Sequence, residues 1–295
     1  MKNTKALSYA LLCVLLWSFI AIVARMGQHR LDSFQFLFWS NSLSAISVFM
    51  ASRIAGKSTK EVLCVPWRTI RQTALLGCLD GLFYLLLYRG YAIENGVAVL
   101  VAQYSWPLMI VGLAVLLFRE HLSIRQIGGM CLGFMAVVVT LTHGYITRIA
   151  VTHPQALMLV FAGAFCFALL SVLSRRFSVD AYVGTFWLFV FSTGVSVVLL
   201  AAFSRFAWPS GMSSLALLLN GVLINGLSYI LWVRAMAIGE ASKIAPLVFI
   251  SPILSIVWLV LIFGEPFVPA YALGVILAVA SGLLCTGFGT MKKSL

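Results

Sequence analysis

Apolar residues fall along this chain in ten long blocks, at 6–26, 33–54, 70–92, 95–118, 123–142, 154–174, 181–203, 211–237, 240–262 and 268–290. Each block supplies the roughly 20 apolar residues that a helix needs to cross hydrocarbon. Polar residues gather in the short stretches between blocks, which leave no room for a separate soluble domain. The pattern predicts an all-α integral membrane protein of ten transmembrane helices, each satisfying its own backbone polar groups.

A second pattern lies over the first. Shifted by 145 residues, Gly81-Leu82, Tyr84, Arg89, Ala92-Ile93, Pro107, Phe118 and Glu120 fall on Gly226-Leu227, Tyr229, Arg234, Ala237-Ile238, Pro252, Phe263 and Glu265 without a gap. Apolar matches arise easily in a chain that is 62% hydrophobic, but matches of Arg, Pro, Gly and Glu at one offset do not. Two five-helix repeats, residues 1–150 and 151–295, are expected. Five is odd, so the repeats should be inverted, the arrangement of transporters whose halves rock about a site between them.

Charge sets the orientation. Only 9% of residues are charged, yet the net charge is +12. With the N-terminus inside, fifteen of the 20 Lys and Arg lie at inner ends and loops, and Arg25, Arg30, Arg89, Arg148 and Arg205 lie outside. The positive-inside rule then puts both termini in the cytoplasm, and the charge serves orientation rather than nucleic-acid binding. The first block follows Lys2 and Lys5 without a small-residue cleavage site, so it reads as a helix and not a signal peptide. The six cysteines show no paired spacing and the four histidines no ligand pattern, so no disulfide, metal or cofactor is expected.

Seven of the eight acidic residues fall at loops or helix ends; Asp80 lies midway along the third block. An intramembrane carboxylate is a functional candidate by default, against the alternative of a protonated Asp bonded to a neighbouring helix. Asp80 falls on Asn225 at the repeat offset, which suggests two polar groups facing each other across a pseudo-two-fold axis. Asp80 would attract an ammonium or carry a proton. Tyr84 and Tyr229 stand one turn from these residues on the same faces.

Trp and Tyr normally occupy membrane interfaces, as Trp67, Tyr145, Tyr182 and Trp208 do here. Trp17, Tyr104 and Trp106 fall near mid-membrane, and Phe167 corresponds to Trp17 in the second half. A buried indole N–H needs a partner, so these rings read as an aromatic-lined cavity or as packing between helices. Pro107 and Pro252 match at the offset, and Pro246 precedes the second. Interior prolines kink helices, and matched interruptions point to a binding site and hinges. Gly129-xxx-Gly133 and Gly274-xxx-Ala278-xxx-Gly282 predict close packing of helix five on helix ten.

Together these residues resemble the EamA-type ten-helix branch of the drug/metabolite transporter superfamily. The resemblance rests on Trp17-Ser18 with Arg25, Gly90-Tyr91-Ala92, Pro107, and Glu120 with its partner Glu265. Tyr104-Ser105-Trp106-Pro107 and Gly163-Ala164-Phe165 leading to Phe167 are similar to the YddG-type aromatic amino acid exporters. The resemblance implies a central cavity among helices 1, 3, 4, 6, 8 and 9. Those exporters carry Trp at the place of Phe167 and Tyr at the place of Gly81. Loss of two rings would widen the pocket and the range toward neutral amino acids such as Thr and Met.

The reading is a monomeric carrier in a bacterial inner membrane, exporting aromatic and other neutral amino acids by alternating access. Substrate-binding candidates are Trp17, Asp80, Tyr84, Tyr104, Trp106, Phe167, Asn225 and Tyr229; hinge candidates are Pro107, Pro246 and Pro252. Efflux of drugs or other small metabolites is the alternative. An intramembrane enzyme would need convergent catalytic groups, and the chain has no HExxH and one buried acid. A passive channel gives no reason for duplicated, proline-broken helices.

Overall fold

The computed structural model describes residues 2–27, 31–94, 96–149, 151–264 and 266–286. Arg30, Glu265, Lys292 and Lys293, and the side chains of Lys2, Arg25 and Arg148, lie outside the described residues. Among the described residues, ten helices are long and apolar enough to cross a membrane: α1 (Thr4–Val23), α2 (Ser33–Ile54), α3 (Trp67–Ile93), α4 (Gly96–Phe118), α5 (Ile124–Leu141), α6 (Pro154–Phe177), α7 (Ala181–Phe203), α8 (Met212–Ile238), α9 (Ala241–Ile262) and α10 (Pro269–Thr286). The chain is a multi-pass membrane protein. Polar loop residues set several starts. Asp32 and Ser123 accept hydrogen bonds from the first turns of α2 and α5, and Gln35 and Gln126 return the bond to the cap residue's N–H. Such capping boxes satisfy the donors that a helix start leaves open.

Four spans are interrupted. In α1 the helix opens into a turn at Ser18–Phe19, and in α4 it opens between Gln103 and Trp106. In α8 it widens to a π-helix over Leu219–Leu227, and in α9 it tightens to a 3₁₀ stretch over Ala245–Ile250. The prolines do not kink continuous helices as the sequence suggested. Pro107 and Pro252 each lie in the first turn of a restarted segment, and Pro246 opens the 3₁₀ stretch. A missing N–H is harmless there, because first-turn donors have no helical acceptor.

The main packing pairs are α5 with α10, α3 with α6, α1 with α8, α2 with α7, α3 with α7 and α2 with α8. Exchange each helix for the one five places along and the set is unchanged. Glycines set the α5–α10 spacing: a Cβ on Gly129 would stand 2.6 Å from Cys285 Sγ, and one on Gly274 would run into Thr140.

Candidate functional site

The interruptions converge on one place. A cavity of about 610 Å³ opens among α1, α2, α3, α4, α6, α8 and α9. Its size falls within the roughly 300–1,000 Å³ of small-molecule sites. Trp17 comes from the α1 break, Tyr104 from the α4 break, Asn220 and Asn225 from the π-helix, Val248 from the 3₁₀ stretch of α9 and Ser251 from its restart. The walls rise along Tyr88 and Tyr91 of α3, Ser33 and Leu37 of α2, and Ile20 of α1. All of these lie toward one end of the bundle, where α1 hands over to α2 and α3 to α4.

The cavity's other end is a plug of rings. Trp17 stands edge-on to Trp106 at 5.8 Å and to Tyr229 at 6.2 Å, and Trp106 meets Phe167 at 4.8 Å between centroids. Trp232 backs the plug, 5.2 Å from Trp17. The Trp17 indole donates to Ser228 Oγ at 2.8 Å and that of Trp232 to Ser171 Oγ at 3.0 Å. Each pairing removes the cost of a buried donor.

Seven of the eight candidates line this cavity: Trp17, Tyr84, Tyr104, Trp106, Phe167, Asn225 and Tyr229. Asp80 does not. It is fully buried one turn below Tyr84, where its Oδ1 accepts from the Tyr229 hydroxyl at 2.9 Å and its Oδ2 from Ser192 Oγ of α7 at 2.6 Å. It therefore does not face Asn225 as the offset suggested; Tyr229 and α7 close over it. Asn41 of α2 extends the network, donating to Ser192 Oγ at 3.0 Å and Ser196 Oγ at 2.8 Å. Gly81 is also off the cavity. A Cβ there would stand 2.8 Å from Val195 Cβ, so the absence of a ring at this position widens nothing.

No Lys, Arg, His, Asp or Glu is among the described residues that line the cavity. Its polar groups are amides and hydroxyls: Gln103, Asn220, Asn225, Ser33, Ser40, Ser251, Ser255 and the tyrosines. Among the described residues no group of three or more His, Cys, Asp or Glu is placed to hold a metal ion.

Sequence reasoning missed the α2 wall, Asn41 and Asn220. Serines on an apolar helix carry little signal, because each can bond its own backbone, as Ser44 Oγ does to Ser40 C=O at 2.7 Å. Asn220 did leave a trace: Asn220-Gly221 recurs five residues on as Asn225-Gly226.

Beyond the rings, the bundle end is clasped. Arg119 takes a left-handed turn (φ 54°) where α4 stops. The next residue, Glu120, accepts from the backbone N–H groups of Ala241 at 3.2 Å and Ser242 at 3.3 Å at the start of α9, and pairs with Arg175 at the end of α6. Arg175 also lies over the Phe118 ring, 4.3 Å from its centroid. Gln126 of α5 donates to Ser242 Oγ at 3.1 Å.

A helical bundle with interrupted helices around a cavity closed at one end is the build of a membrane carrier. The sequence matches the EamA-like transporter family over residues 4–142 and again over 154–287, and the chain belongs to that family. It is 22% identical over 292 residues to an uncharacterized transporter of Archaeoglobus fulgidus, covering 96% of this chain and 98% of that one. It is 26% identical over 190 residues to the uncharacterized transporter YvbV of Bacillus subtilis, a match spanning 62% of this chain and 57% of YvbV. One crystal structure shares the fold at a TM-score of 0.84, with 23% identity over 96% of each chain.

Proposed function

We propose that this EamA-family transporter carries aromatic and other neutral amino acids across a bacterial inner membrane by alternating access, and that the cavity is its substrate site. The observation that carries the reading is the chemistry of the wall: rings, amides and hydroxyls, with no charged side chain among the described lining residues. An uncharged wall suits a ligand with no net charge, since a net charge moved out of water without a counter-charge is heavily penalised. A zwitterion satisfies that condition, and the rings supply apolar area for its side chain.

The inverted repeat and cytoplasmic termini complete the reading. The exchange-symmetric helix pairs support the repeat. With the basic-rich ends inside, the cavity opens outward, and the ring plug with the Glu120 clasp seals the cytoplasmic side. Export, rather than import, comes from the resemblance to the aromatic amino acid exporters.

The test is counterflow in proteoliposomes with radiolabelled Phe, Tyr, Trp, Met and Thr. Saturable exchange of the aromatic members is expected. Flux of none of them, with exchange of an uncharged drug-like compound instead, would replace this reading with general efflux.

A further inference from the structure

The segment Asn220-Gly221-Val222-Leu223-Ile224-Asn225-Gly226 repeats its Asn-Gly pair at a spacing of five. In an α-helix, positions five apart diverge by about 140°. This segment is π-helical over Leu219–Leu227. The π-helix bonds residue i to i+5, and such stretches favour functional sites. The wider turn puts both asparagines on the cavity and both glycines against α2. A Cβ on Gly221 would stand 2.5 Å from Leu43 Cβ, and one on Gly226 would run into Ser47 Oγ. The glycines thus let α2 press close beside the face that carries the amides.

The two amides are held differently. Asn220 Nδ2 donates to Ser40 Oγ at 2.9 Å, which fixes its plane and leaves its carbonyl oxygen without a donor among the described residues. Asn225 is only 5% exposed, and its side chain bonds no described residue. A buried amide normally has partners; the surface that Asn225 retains faces the cavity.

Resting on the neutral amino-acid reading above, we infer that Asn220 and Asn225 are the polar clamp that selects the zwitterionic head of the substrate. The two carbonyl oxygens accept from its ammonium, and Asn225 Nδ2 donates to its carboxylate. Sites built to hydrogen-bond a ligand group reject analogues lacking it far more strongly than apolar pockets do.

The test uses the full chain in proteoliposomes, with phenylalanine as probe and 3-phenylpropionate and phenylalaninamide as competitors. Asn225→Leu keeps the shape and removes the amide. It is expected to raise the phenylalanine KM about tenfold or more, the loss that an unpaired polar contact predicts, and to weaken discrimination against both competitors. An unchanged KM overturns the clamp. Where that variant fails to fold, Asn220→Cys, Asn225→Cys and Leu223→Cys in a background free of other cysteines are labelled with a membrane-impermeant maleimide. Labelling at 220 and 225, blocked by phenylalanine, with none at the outward Leu223 position, upholds the paired face; labelling at just one asparagine position overturns it. A wild-type protein without phenylalanine flux sinks the amino-acid reading, whereas the labelling pattern then still decides whether the paired face exists.

Discussion

The hydroxyl of Tyr229 donates to Oδ1 of Asp80 at 2.9 Å, and Tyr229 lines the cavity whereas Asp80 does not. The membrane-embedded carboxylate reaches the cavity through a tyrosine contributed by the other half of the chain. Asp80 then positions Tyr229, and the two residues should separate kinetically. Asp80→Asn leaves one of its two hydroxyl partners without an acceptor, so the folded state should lose about 1–3 kcal/mol. Thermal unfolding in detergent reads that loss, while the KM for phenylalanine should change less than in Tyr229→Phe, which alters the wall itself. A larger KM effect from Asp80→Asn would place the carboxylate in contact with substrate after all.

The ring plug makes the second case. Phe167 is 4% exposed and lies 4.8 Å from Trp106 and 5.2 Å from Phe83. With neighbours so close, a larger ring at this position has room only toward the cavity. Phe167→Trp should therefore narrow the site, raising the KM for phenylalanine by about tenfold while leaving the smaller Met and Thr within about threefold, the scale on which a pocket discriminates by size. Competition curves against labelled phenylalanine measure both. Equal effects on all substrates would mean that Phe167 serves packing alone.

The ten spans and seven of the cavity residues were legible in the sequence because lipid punishes polar groups so strongly that Trp106, Tyr104 and Asn225 stand out from their surroundings. Two things were not legible. Depth along a helix says nothing about which neighbour closes over a side chain, so Asp80 could be placed at mid-membrane but not behind Tyr229. Helix register was also invisible, because α-helical spacing sends Asn220 and Asn225 to different faces and the π-helix joins them. The glycine pair carried that information, but its five-residue spacing fits no ordinary helical period.

Glu120 gathers three elements at the closed end of the bundle: the end of α4, Arg175 of α6, and the N–H groups that begin α9. A carrier that opens to this side must break those contacts. Glu120→Ala should expose the closed end, so that a cysteine placed at Ser242 is labelled several-fold faster from that side. The same variant should transport with altered exchange rate but near-normal substrate KM, because Glu120 does not line the cavity. Unchanged labelling would show that the rings alone seal this end.

The prolines yield the last expectation. In α4 the hydrogen bonds run from Tyr104 N–H to Leu100 C=O, then shorten to Ser105 N–H on Ala102 C=O, and the helix resumes with Met109 N–H on Ser105 C=O. Pro107 has no N–H to give, so the carbonyl of Gln103 cannot take up an i→i−4 bond there and the break stays open. Pro252 does the same where α9 restarts after its 3₁₀ stretch. Alanine restores the donor at either site, and the helix gains the option of closing across the break. Static stability should then hold or rise slightly, while the segment loses the joint about which its two pieces move. Pro107→Ala and Pro252→Ala should accordingly lower turnover by about tenfold at near-wild-type expression and melting temperature, on the view that conformational steps set the turnover of such cycles. Counterflow rates, compared with the melting curve of each purified variant, decide the matter. Variants that unfold early yet turn over normally per folded molecule would assign both prolines to folding rather than to motion.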